Sequence, residues 1–299
     1  MKKTNLLAVA VALTLSTTAM ADSTKYYGDF GMHLGRTSVE RDFGVTDTIN
    51  GKQVPYQYDI EYDYTVLGFT YERTGEVVKF QALTEISVGG DYEVTSKQVG
   101  VSGCSPNCGS ADLDSFRIAG SVLRKVHVPN LQGDLFVGVG FDHTDIDSKE
   151  YMLKNVRFDD SNDQTGLKLI ADYELQQNMM TYGLMATLGY NEIEYSTFGR
   201  DQVVNGVQES RTLTADTFQV GIEARVDYNI QPGWKIGASL GYKENFEIDS
   251  SCSRTTSVVS NVGCSVDSFD SSESTIMVYV ELDPFKAFDL TQHLVPAVN

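Results

Sequence analysis

The sequence predicts an all-β chain that crosses a membrane as an antiparallel, up-and-down barrel of about ten strands. Three observations carry this. Apolar and polar residues alternate with period two through most of the chain. The alternating runs reach ten residues or more, longer than the five or six usual in soluble sheets. Tight turns also alternate with long polar segments, the layout of a transmembrane barrel.

The clearest strand is Phe218–Tyr228. Phe218, Val220, Ile222, Ala224, Val226 and Tyr228 form one face, and Gln219, Glu223, Arg225 and Asp227 the other. Trp234, Ile236, Ala238, Leu240 and Tyr242 alternate with Lys235, Ser239 and Lys243 in the next strand. The same pattern places Leu167, Leu169, Ala171 and Tyr173 against Lys168, Asp172 and Glu174, and Val78, Phe80 and Ala82 against Lys79, Gln81 and Glu85. Strands are expected near 26–40, 57–73, 77–95, 112–126, 134–147, 164–176, 180–196, 214–230, 234–248 and 273–283. Tight turns fall at Arg73–Glu76, Gln176–Met179 and Gln231–Gly233, with a slightly longer one at His127–Gly133. The segments 41–56, 96–111, 148–163, 197–213 and 249–272, rich in Asp, Ser, Asn and Gly, are expected as long extracellular loops, with both termini periplasmic. Pairing by residues 284–299 would raise the count to twelve strands. Two aromatic belts are expected, one with Tyr26, Tyr27, Tyr71, Tyr173, Tyr182, Tyr228 and Trp234, the other with Tyr92, Phe116, Phe141, Tyr190, Phe218 and Tyr242.

Charges decide which face looks inward. A soluble barrel would bury its apolar face; here the opposite face carries Glu85, Arg117, Lys168, Asp172, Glu174, Glu223, Arg225, Lys235, Lys243 and Glu281. Both signs on one face suit a polar lumen, and the apolar face suits lipid. These ten residues are the expected lumen-lining set. They form either a salt-bridged plug that satisfies buried charge or the selectivity region of a narrow channel. Small barrels are filled by their side chains, which favours the plug.

The N-terminus reads as an export signal: Lys2 and Lys3, an apolar stretch Leu6–Leu15, and the small-residue site Ala19-Met20-Ala21. The expected division is a signal peptide at 1–21, a barrel at 22–283 and a periplasmic tail at 284–299. Loss of Met1–Ala21 removes two lysines and no acid from a chain whose net charge is already −18. That balance argues against nucleic-acid binding. It serves solubility of the loops, or holds divalent cations against an anionic surface. Four cysteines in an exported chain suggest disulfides Cys104–Cys108 and Cys252–Cys264. Zinc is disfavoured because no histidine lies in the Cys104–Cys108 loop.

Stretches 217–230 (TFQVGIEARVDYNI) and 233–242 (GWKIGASLGY) resemble the late hairpin of autotransporter translocator domains, and the chain resembles small Gram-negative outer-membrane barrels as a group. The resemblance implies an outer-membrane location, contact with outer-membrane lipid and lipopolysaccharide, and assembly by the barrel-insertion machinery. Two departures stand beside it: residues 284–299 follow the last strand, and no large passenger precedes the barrel. Omptin-type proteases also have about ten strands, with Asp/His groups at the outer rim. Here alternation sends Asp142 inward and His143 outward, so no catalytic pair is expected. The chain is therefore expected to be a non-enzymatic surface protein without cofactor or metal, serving envelope structure, adhesion or surface interaction, with a narrow passive channel as the alternative.

Overall fold

The computed structural model describes residues 28–98, 107–148, 151–153, 156–201, 208–256 and 262–287. Among the described residues eleven strands are formed: β1 (Asp29–Ile49), β2 (Lys52–Thr74), β3 (Val78–Gln98), β4 (Asn107–Val126), β5 (Asp134–Ser148), β6 (Tyr151–Leu153), β7 (Val156–Gln177), β8 (Met180–Asp201), β9 (Gln208–Gln231), β10 (Trp234–Thr256) and β11 (Val262–Leu282). Ten of them make a ring. Neighbours in sequence pair antiparallel, β1 pairs with β11, and β5 pairs directly with β7 from Asp134↔Glu174 to Asp147↔Ser161. The three-residue β6 only extends β7. Around the membrane level every strand is paired on both sides, which hydrocarbon requires of a sheet that crosses it; higher up, the β10–β11 ladder ends at Phe246↔Asp270, and the Cys252–Cys264 disulfide links the two strands beyond it. A single helical turn, Pro284–Ala287, follows β11.

Around the lower half of the ring the apolar residues point out. Leu169 and Leu240 are each 62% exposed, and Ile222 54%, on a barrel whose opposite strand face is closed. From Tyr182 to Tyr190 eight residue steps at about 3.3 Å and a tilt of about 40° span roughly 20 Å, close to the apolar band of an outer-membrane barrel. Phe116, Tyr190, Phe218 and Tyr242 lie exposed at its upper edge, and Tyr182 and Tyr228 at its lower edge. Tyr92 does not join this belt: it is fully buried inside the barrel.

The long loops expected from the sequence are corrected by the strands. β9 runs for 24 residues and the hairpin of β1 and β2 continues through 41–56 to a two-residue turn at Asn50-Gly51. Asn50 and Gly51 have φ of 50° and 76°, the left-handed pair of a type I′ turn. Segments 148–163, 197–213 and 249–272 are likewise mostly strand. The 24 residues of β9 at about 3.3 Å each and about 40° of tilt stand roughly 60 Å tall, so more than half of the barrel lies beyond the apolar band.

The alternation inverts at that level, without a change of parity in β1 and β2 and through a bulge between Ile86 and Asp91 in β3, where Glu85 and Tyr92 are both buried. In β1 Phe30, Met32 and Leu34 face out, whereas Val39, Phe43 and Val45 are buried inside. In β2 Phe69 faces out, and Val66, Tyr64, Tyr62 and Ile60 are buried. Outside the membrane the physical demand is that of a soluble barrel, so polar residues take the outer face and apolar ones the core. Fifteen buried residues, among them Phe43, Tyr62, Tyr92, Leu113, Ile146, Ile193, Leu213 and Phe269, form one continuous cluster there. Cys252 and Cys264 pack against it and are joined by a disulfide across a Cα separation of 5.5 Å. Residues 1–21 and the side chains of Cys104 and Cys108 lie outside the described residues.

Candidate functional site: a charged lumen beneath an apolar plug

Charged side chains fill the lower lumen in two layers. Near the turn end, Lys79 is fully buried and bonds Asp172 at 2.8 Å, Glu174 at 2.6 Å and Glu72 at 3.2 Å. Arg225 shares Asp172 and Glu174. Lys235 bridges Asp29 at 2.8 Å and Glu281 at 2.7 Å. Tyr279 donates its hydroxyl to Asp227. In the layer above, Arg117 spans Glu85 at 3.0 Å and Asp142 at 2.6 Å, and Lys168 reaches the same Asp142 oxygen at 2.9 Å. His33 Nε2 lies 2.8 Å from Glu85, and Lys243 pairs with Glu273.

These strands can carry charges in mid-membrane because each one faces another. An unpaired ion facing hydrocarbon costs several kcal/mol, whereas a hydrogen-bonded pair in a lumen offsets most of its desolvation. Small residues make the room. A Cβ at Gly183 would run into the Arg225 side chain, and one at Gly68 into the His33 ring.

Of the ten residues singled out by parity, nine enter these ion pairs. Glu223 enters none and lines the cavity beside Gly241 and Met185. The sequence reading passed over Asp29, Glu72, Lys79, Asp142, Asp227 and Glu273 as site residues. All share the inward parity of their strands, which was the available signal.

Between these charges lies a cavity of about 690 Å³. Thr74, Gly133, Thr181 and Asn229 line it at the turn end, and Lys243, Glu273 and Arg117 at its upper limit. Above it comes a polar layer. Arg41, 2% exposed, donates to Asn162 and, at 2.9 Å, to Gln164; Asn191 and Gln219 donate to Asn245 at 2.9 and 3.1 Å. Burial pulls the Arg41 guanidinium below its ordinary range. The apolar cluster then fills the lumen, with the Phe43 and Tyr195 rings 6.0 Å apart and the Tyr92 and Tyr195 hydroxyls 3.0 Å apart across it. Arg211 and Arg254 clamp Asp47 at 2.7 and 2.9 Å at the outer end.

His143 does not meet Asp142. The imidazole Nδ1 contacts Thr165 at 2.9 Å on the outer wall, while Asp142 is 3% exposed inside the barrel between Arg117 and Lys168.

The outer wall above the apolar band is acidic, and the register sets like charges side by side. Asp42 stands across from Asp59 and Asp270, Asp63 across from Asp91, and Asp145 across from Asp163. Partial burial, then Asp59 and Asp270, push the Asp42 carboxyl up; burial, then Asp147 and Asp163, do the same to Asp145. A carboxyl held above its unfolded value of about 4 makes folding take up a proton, so it costs stability at neutral pH and the cost falls as pH drops through the raised value. The expected result is a contribution from these groups that raises the urea midpoint as pH falls from 7 towards the unfolded carboxyl value of about 4. Asp145→Asn should raise the pH 7 midpoint and flatten that rise; a midpoint that changes alike over this range in both proteins would contradict it.

The closed ring, the lipid-facing band and the polar interior define an outer-membrane β-barrel. Among solved structures the chain is similar to the outer membrane protease OmpT from Escherichia coli, with a TM-score of 0.55 and 9% identity over 87% of this chain and 99% of that one. It is also similar to the translocator domain of the autotransporter NalP from Neisseria meningitidis, at a TM-score of 0.35 and 12% identity over 92% and 95% of the two chains. A third similarity is to the outer membrane protein OprG from Pseudomonas aeruginosa, at 0.37 and 12% over 85% and 96%. No protein-family model matches the chain, and no curated protein matches it in sequence. The first similarity corrects the expectation that the chain is not an enzyme. This fold carries a protease in that protein, so the barrel gives no ground for excluding catalysis.

Proposed function

We propose that the protein is a closed surface barrel of the outer membrane that works through its projecting outer half, in envelope structure, adhesion or surface interaction. The observation that carries this reading is the apolar plug, whose Phe43, Ile60, Tyr92, Ile193, Leu213 and Phe269 leave almost no exposed surface inside the outer barrel. A water path would have to displace these side chains, at a cost set by their burial. The continuous strands hold the acidic outer wall rigidly above the membrane. Its carboxylate pairs suit divalent cations shared with lipopolysaccharide phosphates, and the apolar band suits outer-membrane lipid; assembly would use the barrel-insertion machinery.

Recording across planar bilayers tests the reading against a narrow passive channel. The purified protein should insert without adding steady unitary current steps. Reproducible steps of one size, abolished by no change of detergent, would replace it with the channel.

A further inference from the structure

We propose that the cavity beneath the plug binds a linear organic polycation, an alkyl chain bearing ammonium groups, admitted from the turn end. The argument begins with charge. Six cations of the lower lumen, Lys79, Arg117, Lys168, Arg225, Lys235 and Lys243, each already hold at least one carboxylate. The paired carboxylates, with Asp227 and Glu223, outnumber these lysines and arginines by four. A ring of lipid surrounds this excess, and hydrocarbon cannot solvate it. Compensating cations therefore belong in the cavity.

Two positions say what kind. Glu223 lines the cavity with no hydrogen-bond or ion-pair partner among the described residues. Asp227, 7% exposed, lines it too and receives a hydrogen bond from the neutral Tyr279 hydroxyl. Both project inward from β9, four residues apart, about 13 Å along the strand at about 3.3 Å per residue. On one side the wall beside Glu223 is apolar: Met185 stands directly across from it in the ladder and packs against the cluster of Ile170, Leu123 and Phe136. A hydrated metal ion gains nothing from that wall. A methylene chain does, by burying its own apolar surface while its ammonium ends meet the two carboxylates. The volume of about 690 Å³ admits such a chain with water. At the other end the apolar plug stops it, so the site is a blind pocket rather than a passage.

The test is calorimetric titration of the full chain in detergent with spermidine, in sodium chloride of matched ionic strength. Saturable binding is expected. The Glu223→Gln/Asp227→Asn double variant should weaken it at least tenfold, and Glu223→Lys, which brings its own ammonium, should abolish it. Asp42→Asn/Asp145→Asn on the outer wall should leave it within twofold. Heat-modifiable gel mobility checks that each variant is folded. In the wild-type protein, nuclear Overhauser contacts should join spermidine methylenes to the Met185 methyl. Absence of saturable binding overturns the proposal, as does equal affinity in the lumen variants, which would place spermidine on the outward carboxylates. Missing Met185 contacts overturn it without recourse to any variant.

Discussion

Phe43→Ala should destabilise the barrel by about 3–5 kcal/mol, the range for removing a fully buried aromatic ring. Phe43 is 0% exposed and touches Phe269 on the adjacent strand β11 and Tyr195 across the lumen, with ring centroids 4.7 and 6.0 Å away. The three side chains come from three different strands, each held by backbone ladders, so the wall cannot readily collapse to fill the space. The loss should therefore lie towards the upper end. Reversible urea titration in detergent micelles or thin bilayers measures it. An outward substitution of similar size, Phe218→Ala at 43% exposure, should cost far less in micelles, because detergent replaces the contacts it loses. Equal costs at the two positions would mean that the upper lumen is not packed.

Asp142→Asn should cost about 3 kcal/mol, the low end of the range for removing one partner of a buried ion pair. One oxygen of Asp142 serves both Arg117 at 2.6 Å and Lys168 at 2.9 Å. Arg117 retains Glu85, whereas no second ion pair is formed by Lys168 among the described residues. The loss should accordingly be centred on Lys168. In a double-mutant cycle, Lys168→Met should be costly in the wild type and nearly neutral beside Asp142→Asn. Additive costs would show that the two residues do not share a charge network.

The membrane half of this molecule was legible because one physical demand acts on it throughout. Lipid outside and charge inside give strict alternation, so parity alone placed Lys168, Asp172 and Glu174 on one face and Leu167, Leu169 and Ala171 on the other. Much of the outer half has the composition expected of loops, although it alternates just as regularly. In 41–56 Phe43 and Val45 alternate with Asp42 and Thr46, and in 249–272 Phe269 and Ser271 alternate with Ser268 and Asp270. What changed was the phase. Above the membrane the polar residues face out, and their high content of Asp, Ser and Asn resembles the composition of a loop. A pattern search that fixes which face is apolar ends the strand where the solvent changes. Asn50-Gly51 inside the supposed loop 41–56 was the local sign of a hairpin tip.

The candidate site was readable as a set of inward charges but not as pairs. Pairing depends on which strands meet across the lumen, as when Lys79 of β3 reaches Asp172 of β7, 93 residues away. No spacing within one strand reports that. Asp142 and His143 are adjacent in sequence and lie on opposite faces of the wall, which removes the obvious acid–base pair by geometry alone.

Hydrogen exchange of the backbone amides, with the protein in lipid nanodiscs, most directly tests the central claim that the strands continue past the membrane as a packed, hydrogen-bonded sheet. Amides at Arg41–Phe43, Ser161–Asp163 and Arg211–Leu213 should be protected for hours, like those of the membrane segment Val220–Val226, because these strands pair on both sides at both levels. Exchange of the outer set within seconds, with Val220–Val226 still protected, would contradict the account and restore mobile loops above a short barrel.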